Sequence, residues 1–292
     1  MKKSIIYLLT FIIIPIFFYC SNSDENKSLL WKIETENNTV YLLGSWHLFK
    51  EEMYPLDKDI ETAYDNSDII VFEADIEPSS AMKLQAEMLD KGMFKGDSTL
   101  EMALGKNLYD KLISECQKIN LPQIAINKMR PGIALLTFSS SYFLHKGFKP
   151  QLGLEYYFNE KGKTDGKTFD FLETLSFQLD LFIKLGNENL DELFKSSFDE
   201  IEQNDKYIDS MLTFWKIGDV ENFGRIIDKE MDKYPTLKKE TLTKRNENWV
   251  VKIEEYLRTG KNYFIVVGAG HLVGEDSVIE LLKTNGYILE QI

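Results

Sequence analysis

The sequence predicts an α/β fold, a central mixed sheet carrying helical elaborations, and three observations predict it. Four short, mostly apolar runs at 40–43, 69–72, 169–172 and 263–267 have the length and composition of buried strands. Long segments with helical periodicity separate them. Past the first 28 residues no Gly/Ser- or Pro-rich linker or low-complexity stretch divides the chain, so residues 29–292 read as one domain. A hydrophobic share of 43% and a charged share of 28% place the 292 residues among ordinary folded chains and exclude multiple membrane spans.

Residues 1–20 have a different character. Lys2 and Lys3 precede an uncharged run, 4–19, that ends at Cys20, the layout of an export signal. The run is interrupted by Pro15 and is shorter than the roughly 20 residues a membrane-spanning helix needs. A cleaved or lipidated signal is the first reading, and an uncleaved anchor the second. Cys20, followed by the polar tether 21–28, is similar to the acylated cysteine of a bacterial lipoprotein, although Tyr19 stands where such signals usually carry a small residue. Either way the expectation is an exported protein of the cell envelope, membrane-anchored or periplasmic. Without Cys20 only Cys116 remains, so no internal disulfide supports the fold. A net charge of −13 offers no attraction to phosphate backbones, which excludes nucleic acid as a partner.

Taken in order, the strand at 40–43 is followed by strand 69–72, a helix over 79–91, another over 100–118, and a third over 125–145 that Pro131 should break or restart. Strand 169–172 comes next, then helices over 174–185 and 237–257, strand 263–267, and a possible edge strand at 287–289. Ligands of open α/β sheets bind beyond the carboxyl ends of the strands. Each main run is followed within four residues by a reactive side chain: His47, Glu73, Glu173 and His271 in turn.

Two of the three histidines stand in Gly-x-x-His motifs, Gly44 to His47 and Gly268 to His271. Glycine at the strand end lets the backbone turn sharply or approach a ligand closely, and imidazole suits a transition metal or general-base chemistry. One such motif is weak, since a lone strand-end histidine is usually structural; two in one chain point to a shared site. Glu73 enters a buried strand end, where a carboxylate needs a partner or a metal, and Asp75 lies on the same side of an extended chain as its alternative. Glu173 also precedes a helix, where an acid favours the dipole. His145, near a helix end, reads as a C-terminal cap.

Together, Gly44-Ser45-Trp46-His47, Phe72-Glu73-Ala74-Asp75, Arg130-Pro131, Gly153-Leu154-Glu155, Leu172-Glu173-Thr174 with Gln178, Arg245-Asn246 with Trp249, and Gly268-Ala269-Gly270-His271 run in one order. In that order the chain resembles the TraB/PrgY/GumN family, which includes the TIKI proteins. The resemblance implies an EreA/ChaN-like fold, with His47, Glu73 and His271 holding a divalent ion (Mn, Co or Zn) and Arg130, Glu155, Glu173, Arg245 and Asn246 in support. It implies Glu155 or Glu173 as general base and Arg130 or Arg245 as oxyanion stabiliser. Glu155 replaces the aspartate expected after Gly-Leu. A plainer reading of Arg245, Asn246 and Trp249 is a helix packed by Trp249 with Arg245 paired to an acid.

TIKI members are described as metal-dependent proteases, PrgY and TraB members as reducing peptide-pheromone activity, and GumN members take their name from polysaccharide gene clusters. The function implied is a metal-dependent, peptidase-like hydrolase acting on a peptide or protein substrate. The competing reading is a non-catalytic binder of a peptide or a haem-like ligand in the same crevice.

Overall fold

A computed structural model describes residues 27–202 and 204–292, with backbone alone at 200–202 and 204–207. The expected export signal, Cys20 and most of the tether lie outside the described residues. Six strands form one mixed sheet in the order β4-β3-β5-β2-β1-β6, where β1 is Leu30–Glu34, β2 Thr39–Ser45, β3 Ile69–Phe72, β4 Thr168–Phe171, β5 Tyr263–Gly268 and β6 Glu290–Gln291. The neighbours β4-β3, β3-β5 and β5-β2 are parallel, whereas β1 pairs antiparallel with both β2 and β6.

Register is what positions the site. Apolar residues along β2 and β5 are buried on both faces and pin the pairing, because a slip would carry core side chains out of register. Ser45 thereby pairs with Gly268, so the two Gly-x-x-His motifs leave the sheet side by side. Phe72 pairs with Val266 on one side and Phe171 on the other. Pairing continues past the strands, with Glu173 N–H donating to the Glu73 carbonyl at 2.8 Å. All four parallel strand ends therefore open on one rim.

Several elements differ from the sequence reading. β1 carries Lys32 and Glu34 beside the tether and was not expected; its hairpin to β2 is closed by Asn38 and the Thr35 hydroxyl. The last strand falls at 290–291, not 287–289, because Tyr287 N–H still caps the preceding helix through the Leu282 carbonyl, beyond Gly286 at φ 93°. The segment 100–118 is two helices, Leu100–Leu104 and Lys106–Lys118, divided at Gly105 with φ 71°. The third helix restarts at Pro131 and runs Pro131–His145, with Pro at its first position, where the missing N–H costs nothing. The 237–257 segment becomes Pro235–Lys238, a π-helical turn Lys239–Thr243, and the helix Lys244–Tyr256.

The sheet core extends through Leu42, Ile70, Phe158, Trp249 and Phe264. The helical layer has a second core, including Leu112, Phe138, Leu185 and Phe194. Helices Pro131–His145 and Leu175–Glu188 cross backbone to backbone at Gly132 and Gly186. Among the described residues no helix is long and apolar enough to cross a membrane.

A methyl at Gly132 would collide with the Phe182 carbonyl oxygen, whereas one at Gly260 meets nothing within 4 Å. Gly132→Ala is therefore expected to cost about 1–3 kcal/mol by forcing the helices apart, and Gly260→Ala to stay within about 0.5 kcal/mol. Denaturant unfolding of both variants checks this, and equal midpoints would contradict the close crossing.

Candidate functional site

His47 follows β2 by two residues. Gly153 lies against the His47 carbonyl so closely that a methyl there would overlap it, which lets the helix Leu154–Asp165 begin at this point. Glu155 occupies the first turn of that helix, where its charge also favours the dipole. Its Oε1 lies 2.9 Å from His47 Nδ1 and also accepts from the Ser45 hydroxyl. Its Oε2 is buried without a protein partner. The His47 ring is otherwise open to the crevice, its side chain 65% exposed.

Glu73 leaves β3 beside β5 and turns its Oε1 to the N–H of Gly268 at 2.8 Å. Its Oε2 accepts from Arg245 Nη2 at 2.6 Å and from Gln178 Nε2 at 3.2 Å. Glu173 holds the same guanidinium from the next strand, through Oε1 to Nη2 at 2.6 Å and Oε2 to Nε at 3.1 Å. Gln178 and the Trp249 indole N–H complete its shell at 2.8 and 3.2 Å. Arg245 lies on the helix Lys244–Tyr256 just after the π turn, stacks over Trp249, and donates to the Thr241 carbonyl at 3.1 Å.

His271 is buried against the Trp249 ring, with ring centroids 4.3 Å apart. Its Nδ1 lies 2.6 Å from Asn246 Oδ1, and its Nε2 lies 3.0 Å from Arg245 Nη1. Asn246 Nδ2 donates to the Asp276 carbonyl at 2.7 Å, which leaves Oδ1 facing the ring as an acceptor. Arginine can only donate, so the network fixes His271 as the neutral tautomer with its proton on Nδ1. The convergence is plainest at Gly268: a β-carbon there would lie 3.2 Å from Glu73 Oε1, 3.7 Å from His47 Nε2 and 3.7 Å from His271 Cδ2.

Charge follows this geometry. The Glu155 carboxylate pulls the His47 pKa up towards about 9, with help from Glu73 and against Arg245, and the open crevice screens part of this attraction. Burial pushes His271 down to about 3, with Arg245 and His47 adding to the shift. Burial would raise Glu73, but Arg245, His47 and the Gly268 N–H outweigh it and hold the carboxyl at about 2.

For a divalent ion the donor set fits in kind. Two imidazoles have Nδ1 engaged by Glu155 and Asn246, the arrangement that orients metal-ligating histidines, and a carboxylate lies between them. The set is not a ready-made cage: among the described residues no group of three His, Cys, Asp or Glu is disposed to hold a metal. Arg245 Nη1 takes the Nε2 lone pair of His271 and its Nη2 takes Glu73.

The other sequence candidates fall as follows. Asp75 accepts from Glu77 N–H and the Ser80 hydroxyl just before and at the start of the helix Pro78–Lys91, so it is engaged locally and Glu73 is the acid in the cluster. Arg130 lies over the Phe94 ring, its Nε buried without a partner, and shares none of the hydrogen bonds that tie the cluster together. His145 is the last residue of its helix. Ser45 and Gln178 enter the sequence reading only as parts of motifs. The Thr174 side chain accepts from Phe177 N–H, and this N-cap is the local signal that a polar residue one turn on returns to the strand ends.

A model of the TraB/PrgY/gumN family matches residues 29–291. Protein YbaP of Escherichia coli strain K12 is 19% identical over 247 residues, 85% of this chain and 89% of its own length. Metalloprotease TIKI2 of Danio rerio is 34% identical over 68 residues, and metalloprotease TIKI1 of Homo sapiens 35% over 68. Both stretches cover 23% of this chain and 13% of the TIKI protein, so that likeness is local. No solved structure matches the chain significantly.

In metal-free protein the fold keeps His271 neutral, whereas the unfolded chain protonates it below about 6.5, so stability is lost as pH falls from about 6.5 towards about 3. Glu73 contributes stability above about 4.5 that is lost as pH falls towards about 2. Urea midpoints should therefore decline steadily below pH 6.5. His271→Asn should flatten the limb between 6.5 and 4.5 and keep the steeper part below. A wild-type midpoint level across that upper window would contradict a buried neutral His271.

Proposed function

The chain belongs to the TraB/PrgY/gumN family, and from that membership and its strand-end cluster we propose that it is a metal-dependent, peptidase-like hydrolase of the cell envelope. One observation carries the reading: both Gly-x-x-His imidazoles are held at Nδ1, by Glu155 and Asn246, while His47 Nε2 and the Cδ2 edge of His271 meet Glu73 around Gly268. The local likeness to metalloproteases TIKI1 and TIKI2 supports it.

A divalent ion (Mn, Co or Zn) held by His47, Glu73 and His271 would supply Lewis-acid polarisation of a carbonyl and acidify a water. The chain's own groups do the rest. Glu155 orients His47, and Asn246 keeps the proton of His271 on Nδ1, leaving Nε2 as the donor atom. Arg245 holds Glu73 as a carboxylate, and with its five N–H donors shared among Glu73, Glu173, His271 and the Thr241 carbonyl it orients the cluster. In amide hydrolysis the water oxygen bonds to the carbonyl carbon, the C–N bond breaks, and the proton ends on the departing nitrogen. Glu173 is a poor base for that transfer, because Arg245, Gln178 and Trp249 occupy its oxygens. Glu155, with Oε2 unpaired, is the acid left for it. We extend the proposal to location: residues 1–20 export the chain, and Cys20 acylation or an uncleaved anchor ties it to the membrane.

The test is metal content of the purified protein, followed by peptide-library cleavage with Mn²⁺, Co²⁺ or Zn²⁺. His47→Ala and His271→Ala should each weaken metal binding at least about 10- to 100-fold, and Glu73→Gln should abolish turnover. Because Glu155 raises the His47 pKa in the metal-free protein, binding near neutral pH should release a proton, seen as a buffer-dependent enthalpy, and affinity should rise with pH. Peptide or haem retained without turnover, unchanged in Glu73→Gln, would favour a binder instead. Metal binding that survives both histidine variants would overturn the site.

A further inference from the structure

A cavity of about 610 Å³ opens directly from His47, Glu73 and Arg245 and runs between three helices, Pro78–Lys91, Pro131–His145 and Leu175–Glu188. Its walls away from the cluster are apolar, built mainly by Leu84 and Met88, Ile133 and Leu136, and Leu179 and Phe182, one pair from each helix. The volume falls within the roughly 300–1,000 Å³ of ligand pockets. Two of the hydroxyls in the wall are already committed, Thr137 to the Ile133 carbonyl and Ser141 to the Thr137 carbonyl. A sugar placed here would bury most of its hydroxyls against apolar side chains, each unpaired one costing about 1–3 kcal/mol. An apolar group loses nothing by entering.

We infer that this cavity is the specificity pocket of the site and receives a bulky apolar side chain flanking the scissile bond of a peptide. The inference rests on the hydrolase reading for the word scissile, and on the cavity alone for the apolar side chain. Continuity decides the occupant: His47, Glu73 and Arg245 form one end of the same cavity, so whatever fills its apolar length is attached to the group held at the cluster. The wall is also separable from the fold. The helix Pro78–Lys91 has no buried residue and is fastened across the cavity by Lys91 to Asp180 at 3.0 Å and by the Ser176 hydroxyl to Glu87 at 2.8 Å. Leu84 can therefore be exchanged without opening either core.

The experiment uses metal-loaded protein and dansyl-Ala-Ala-X-Ala-Ala-amide peptides with X as Phe, Leu, Ala or Asp. Both kcat/KM and fluorescence anisotropy are read, and circular dichroism confirms that each variant is folded. The Phe and Leu peptides should exceed the Ala peptide by at least about 10-fold in kcat/KM, with Asp lowest. Leu84→Asp, which places a carboxylate in the wall, and Thr137→Phe, which fills the cavity, should each erase that preference, bringing the Phe and Leu peptides down to the level of the Ala peptide in the same variant. If Thr137→Phe does not fold, Leu84→Asp carries the test. Equal turnover of all four peptides, or a preference that survives in the folded variants, overturns the pocket. If nothing is cleaved, tighter binding of the Phe than the Asp peptide that is lost in Leu84→Asp upholds the pocket while rejecting the hydrolase. Equal binding or none overturns the pocket as well.

Discussion

Two buried carboxylates stand side by side at the ends of adjacent parallel strands, Glu73 after β3 and Glu173 after β4, and one guanidinium between them makes the arrangement tolerable. An unpaired buried carboxylate costs several kcal/mol, and two at this distance would repel as well. Arg245 matches the fork of its N–H donors to both acids, and its own side chain is only 11% exposed. The rest of the rim is built around holding that arginine in place. The π-helical turn before it leaves the Thr241 carbonyl free to accept from Nη1, and Trp249, one turn further along, stacks on the guanidinium and donates to Glu173.

The same arginine sets the state of the histidines. By donating to His271 Nε2 it keeps that ring neutral and occupies the lone pair a metal would use. His47 is held differently, by a carboxylate and near the open crevice, and its charge is drawn upward. The two Gly-x-x-His motifs look equivalent as strings, yet they deliver one buried neutral imidazole and one solvent-facing imidazole with a strong acid partner. Titratable groups whose environments drive their pKa values apart are the usual mark of a working site.

Much of the architecture was legible in the sequence because its signals are local. The four parallel strands are short apolar runs ended by a reactive residue, and Pro131 marks its helix start as expected. The placement of His47, Glu73 and His271 on one rim could be anticipated from strand ends alone. What could not be read was pairing at a distance: Glu73 and Arg245 are 172 residues apart, and nothing in either neighbourhood names the other. Arg130 is a different case. Its motif is in family order, but beside it Gly132 serves a helix crossing and the guanidinium lies on Phe94. The apolar cavity was equally hidden, since Leu84, Ile133 and Leu179 at helical spacing read as ordinary core.

The central claim is that the two imidazoles belong to one site with opposite protonation and a common centre. Imidazole ¹⁵N NMR of the metal-free protein, followed by titration with Zn²⁺, tests it most directly. At pH 7 His271 should appear neutral with its proton on Nδ1 and His47 charged on both nitrogens; on adding Zn²⁺ the Nε2 signals of both should shift together as His47 loses its proton. A response from one histidine with the other unmoved, or a His271 protonated at pH 7, would contradict the account.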